Sequence, residues 1–151
     1  MDDTIALIIG RVILAWAALD TQLHFTLEDL NRRTTEEFKF ESRFKHRIQL
    51  LRKLLVKAGG NKPTMSRFDN FAGRVEVFAD KRGKLAHGIV DWSQSGNLQS
   101  FDFATARTGS PELKPDWFSL TPEDAKSLPS EILKLKGELG AWHSEISQLF
   151  S

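Results

Sequence analysis

The chain has 151 residues, 40% hydrophobic and 27% charged, with 21 basic against 20 acidic side chains and four histidines. That length suits one globular domain over residues 1–151, closed without metals or disulfides, and a net charge of +1 predicts no global attraction to nucleic acid or anionic membranes. Cysteine is absent, which excludes disulfides, thiolate metal sites and a cysteine nucleophile and fits a reducing, cytoplasmic setting.

A first helix is predicted over residues 3–31, where Ile5, Ile9, Val12, Trp16, Leu19, Leu23 and Leu27 keep a four-three rhythm. Ile8, Ile13, Leu14 and Phe25 lie off that stripe, so this helix wants more than one neighbour: a central place in a bundle or a subunit interface. Its apolar run, residues 5–19, is shorter than the roughly 18 residues of a membrane span. Gly10 and Arg11 interrupt the run and Asp2 and Asp3 precede it, so neither a signal peptide nor a membrane anchor is expected. Asp20 and His24, at i and i+4, form either a local pair on the helix edge or, with Asp20 turned elsewhere, the carboxylate that balances Arg82 further along.

The second helix is predicted over 34–58, from a capping-box pair at Thr34 and Glu37 to a stop at Gly59 and Gly60. Phe44, Ile48, Leu51 and Leu55 make its core stripe. Lys39, Arg43, His46, Lys53 and Lys57 recur at helical spacing on another face, a strip that either follows a phosphate backbone or is an ordinary solvated surface.

The third helix, predicted over 64–87, carries the most informative stretch. Phe71, Val75, Phe78, Leu85 and Ile89 alternate by four and three, and Arg82 occupies the slot where a leucine would be expected. A charge on a buried stripe marks either a structural ion pair or a site that receives an anion. His87, five residues on, lies about 140° around the helix from Arg82, on the strip of Glu76, Asp80 and Gly83. Gly88 suits a helix C-terminal cap, which would put His87 in the last turn.

Beyond Gly88 the period changes to that of strands. Residues 89–92 and 98–107 read as a β-hairpin around Ser95, Gly96 and Asn97, and 117–120 as a third short strand after an irregular loop. Thr121, Pro122, Glu123 and Asp124 start the last helix, predicted over 122–150 with Pro129 kinking it or splitting off its first turn. The expected fold is therefore mainly α: a four-helix up-and-down bundle with a β-hairpin insertion between helices 3 and 4.

No histidine pair has the His-x-x-x-His spacing of a zinc helix, and neither a glycine-rich phosphate loop nor a Gly-x-Ser-x-Gly elbow occurs, so neither metal nor cofactor is expected. What remains is Arg82 and His87. The segment Arg82-Gly83-Lys84-Leu85-Ala86-His87-Gly88 resembles the Arg-x4-His signature of the HEPN superfamily, and the Trp16 helix, the Trp92 strand and the closing helix extend the likeness over nearly the whole chain.

The resemblance implies a metal-independent RNA endonuclease in which His87 handles the protons of the attacking 2′-hydroxyl or the leaving 5′-oxygen while Arg82 stabilises the phosphate. It further implies a homodimer with both motifs at a two-fold axis, Gly83 allowing close helix approach. RNA would be met by the basic strip and Lys84, and the setting would be toxin–antitoxin or defence, with a protein antitoxin or other protein as partner. Two departures stand out. Gly83 follows the arginine where active members often carry a polar residue, and Ile89 stands where a toxin branch has a modifiable tyrosine, a residue this chain lacks. Two other readings stay open: a non-catalytic HEPN-like module binding RNA, nucleotide or protein, and a purely structural dimerisation domain.

Overall fold

The structure, a computed structural model, describes residues 3–34, 43–87, 89–91, 101–106 and 115–150, with side chains at 6–34, 43–85, 121 and 123–150. Four helices, α1 (Asp3–Arg33), α2 (Phe44–Lys57), α3 (Lys62–His87) and α4 (Pro122–Leu149), share one core. The four-three positions fill it: Val12, Trp16, Leu19, Leu23 and Leu27 of α1, Ile48, Leu51 and Leu55 of α2, Phe71 and Val75 of α3, and Leu128, Ile132, Leu135, Leu139, Trp142 and Ile146 of α4. Leu30, Leu54 and Phe68 are as deeply buried.

Side-chain contacts fix the helix directions. Trp16 meets Phe44 with ring centroids 4.6 Å apart, and one turn further along each helix Arg47 donates to the Asp20 carboxylate, so α1 and α2 run parallel. Arg67 reaches Glu145 at 2.9 Å and Arg74 grips Glu138 at 2.8 and 2.6 Å, which runs α3 against α4. Arg52 and Asp69, joined at 2.7 and 3.1 Å, set the end of α2 beside the start of α3. The 2.7 Å contact between Asp29 and His143 ties the late turns of α1 and α4, the most extensively packed pair of helices. Helices α1, α2 and α4 therefore point one way and α3 the other.

This overturns the expected up-and-down order, and the cause lies at the start of α2. That helix begins at Phe44, beside the middle of α1, with Arg43 in extended conformation at its N-cap. The Thr34 hydroxyl and N–H bond back to the Asn31 carbonyl at 3.2 and 3.4 Å, finishing α1 instead of opening α2. Glu37, the other half of the expected capping box, and Lys39 lie outside the described residues. The stop is as expected. Gly59 takes φ +87°, its N–H bonds the Val56 carbonyl at 3.0 Å and that of Gly60 the Leu55 carbonyl at 3.1 Å, a Schellman closure. Asn61 then caps α3, accepting from the Thr64 N–H at 2.9 Å.

The β-hairpin insertion is also corrected. The described strands, β1 (Ile89–Asp91), β2 (Phe101–Ala106) and β3 (Pro115–Leu120), form a three-stranded antiparallel sheet in the order β1-β2-β3, with Ile89 opposite Ala104 and Phe103 opposite Phe118. A two-stranded ribbon is marginal in water, and the third strand with the packing of β2 on α3 supplies what a hairpin lacks. The Gly88 cap and the turn around Ser95 to Asn97 lie outside the described residues. Thr121 does cap α4, accepting from the Asp124 N–H at 3.1 Å. The helix continues unbroken through Pro129, where burial of Leu128 and Ile132 on either side offsets the lost hydrogen bond.

Helix α1 is longer than its apolar run suggested. Residues 6–33 are apolar enough over enough length to cross a membrane, yet one face of this helix is packed into the bundle core.

Candidate anion site at the end of the third helix

Two arginines stand on core stripes, and they differ in how their charge is balanced. Arg47 falls between Phe44 and Ile48 on the inner side of α2. Its side chain is only 13% exposed, its guanidinium donates to Asp20, and it lies over the Phe44 ring at 5.8 Å. Arg82 continues the Phe71, Val75, Phe78 stripe of α3, is half-buried, and, like Arg47, has its Nε shielded from solvent with no hydrogen-bond partner. Among the described residues no carboxylate pairs with Arg82. Asp20, the sequence candidate for that role, is taken by Arg47, and His24, its expected local partner, lies 3.8 Å from Glu28 instead.

His87 is the last residue of α3, five positions beyond Arg82, and its side chain lies outside the described ones. Gly83 is half-buried, and a Cβ built there meets nothing within 4 Å, so in the single chain no neighbour approaches it closely. Lys84 is paired with Asp80 at 3.2 Å, one turn back on the same helix. Of the basic strip, Arg43, Lys53 and Lys57 are exposed and His46 is half-buried. Together they leave one side of α2 solvated while the other enters the core.

A groove of about 450 Å³ runs between α2 and α3 towards this end of the molecule. Its floor is apolar, with Phe44, Ile48, Val75 and Ala79, and the Lys45–Glu76 pair at 3.9 Å and the Arg52–Asp69 pair frame its rim. Arg52 holds the Asp69 carboxyl below the usual carboxylate range through their hydrogen bond, and Asp69 raises Arg52 in turn. On the opposite side of α3 a second groove, about 580 Å³, has Arg67 over the Trp142 ring at 5.1 Å, and Glu138 raises Arg74 above its ordinary value. Both grooves are bordered by charges that already neutralise one another.

Sequence reasoning named none of the ion pairs between helices, and two of these ties differ in how legible they were. Arg47 was legible in principle, because it interrupts an apolar stripe as Arg82 does. The Asp29–His143 contact carried no local signal, since its members are 114 residues apart. There the His143 hydrogen bond holds the Asp29 carboxyl below its usual range, burial opposes it, and Arg33 at 3.0 Å adds a lesser lowering.

Among the described residues no cluster of three or more His, Asp or Glu side chains could hold a metal ion. Compared with protein-family models, curated proteins and solved structures, the chain matches none.

Proposed function

We propose that this chain is a HEPN-like RNA-handling protein that cleaves RNA without a metal, with Arg82 stabilising the phosphate and His87 moving protons. The observation that carries this reading is that Arg82 has no carboxylate partner among the described residues. The fold keeps this guanidinium half-buried at a core-stripe position, whereas the comparable Arg47 has the Asp20 carboxylate beside it. Such a group is poised for an external anion, and guanidinium grips phosphate in a bidentate way. Imidazole titrates near neutrality and serves as general base or acid for the 2′-hydroxyl and 5′-oxygen. The exposed basic side of α2, with Arg43 and Lys53, supplies sequence-independent attraction along the strand.

The test is cleavage of unstructured RNA in excess chelator with 2′,3′-cyclic phosphate ends. Arg82→Ala and His87→Ala should each lower the rate by about 100-fold or more with helix content unchanged. Gly83 favours a second reading, because the position next to Arg82 brings no polar group to the reaction. A wild-type protein that binds RNA through Arg82 but leaves it intact would establish that binding-module reading and remove the nuclease.

A further inference from the structure

Helix α1 carries two four-three seams on opposite sides. One is the core seam. The other runs Leu7, Arg11, Leu14, Ala18, Thr21, Phe25, and it is exposed apart from the half-buried Ala18: Leu14 is 71% exposed, Phe25 58% and Leu7 53%. Large aliphatic and aromatic side chains repeated along one solvent-facing strip are what a coiled-coil seam presents to a partner helix.

We infer that this outer seam is a homodimer interface in which α1 packs antiparallel against α1 of a second copy. The residue pattern selects both the partner and the direction. About a two-fold axis near residue 16, Leu7 meets the second Phe25, Leu14 the second Ala18, and Arg11 the second Thr21. Bulky residues close both ends of the seam and a leucine fills the space above an alanine at its centre. Each Arg11 faces a hydroxyl. The parallel alternative sets Arg11 against Arg11 and Arg32 against Arg32, placing like charges face to face. A second copy is favoured over a lipid surface because the seam's borders carry both signs, with Glu28 within 2.5 Å of Arg32 and no basic flank for anionic headgroups.

The seam from Leu7 to Phe25 spans about 27 Å, enough for six layers of contact. The inference does not depend on the RNA reading, because no residue of the seam takes part in the proposed chemistry.

Sedimentation and light scattering of the full chain should give a dimer. Leu14→Glu with Phe25→Glu, both at exposed positions, should raise the dissociation constant by about 100-fold or more at unchanged helix content. The absence of cysteine allows a directional test that needs no disruption of the seam. Under oxidation, mixed Leu7→Cys and Phe25→Cys chains should form a disulfide-linked heterodimer, while Leu7→Cys alone should not, its two copies lying about 27 Å apart. A monomeric wild type, whether or not it binds anionic vesicles, overturns the inference. So does a dimer indifferent to the glutamates, or one in which Leu7→Cys links to itself.

Discussion

Arg82 and Arg47 occupy equivalent slots on two amphipathic helices, and their difference predicts opposite responses to substitution. Asp20 balances Arg47, so Asp20→Asn leaves a largely buried cation without its counter-charge. Because Asp20 itself is 38% exposed, solvent screening reduces the loss to about 1–2 kcal/mol. Among the described residues Arg82 has no such partner, and its half-buried charge costs stability as it stands. Arg82→Leu should therefore stabilise the fold by about 1 kcal/mol while abolishing RNA cleavage, as equilibrium urea unfolding read beside the cleavage assay would reveal. Equal destabilisation by both variants would make Arg82 a structural residue. The interrupted stripe around Arg82 was readable from spacing alone. Its lack of a partner was not, because which carboxylate goes to which arginine depends on helix directions that no local pattern encodes.

At the scale of elements, boundaries were legible where one residue type alone satisfies the geometry. Gly59 sits at φ +87°, where a side chain is strained, and the two hydrogen bonds after α2 depend on it. Gly59→Ala should lower the midpoint of thermal unfolding, at a cost of about 1 kcal/mol. The start of α2 was misread because a threonine followed three positions later by a glutamate fits a capping box, while the same threonine can end the preceding helix. The tie between α1 and α4 gives a pH dependence. Its sign follows from Asp29, whose folded pKa is lowered by His143 and Arg33. Stability from this carboxylate is fully present above the unfolded value of about 3.9 and is lost as pH falls through the folded one. Thermal unfolding midpoints between about pH 5 and 2 should fall more steeply for wild type than for Asp29→Asn, and parallel curves would assign the acid sensitivity elsewhere.

For the whole molecule, the core residues were legible but not the order of the layers. The heptad-like rhythm marks which face of a helix is inside; it is silent on whether the next helix runs up or down, and the parallel run of α1 and α2 follows from contacts between residues about 28 positions apart. That arrangement bears on the reaction. Helix α3 lies on the core side of α1, so in a dimer joined through the outer seam each Arg82 sits at least about one helix diameter, 10 Å, behind the two-fold axis. One phosphate cannot then be shared between chains. Mixing Arg82→Ala and His87→Ala proteins under proven subunit exchange should leave the RNA uncut, in contrast to the composite site that the Arg-x4-His resemblance implies. Restored cleavage would place the motif, not α1, at the axis.

The first helix finds its most extensive cover in the last, and this imposes an order on synthesis. A nascent chain carries α1 out of the ribosome more than 100 residues before α4 is complete. During that interval both seams of α1 are open, the inner one wanting α4 and the outer one exposed to the second chain proposed for it. Sequence-distant contacts of this kind slow folding and prolong the exposure of apolar surface. Neighbouring nascent chains on one message present the outer seam to each other while the inner one still waits, so assembly between chains can begin before either has closed its own core.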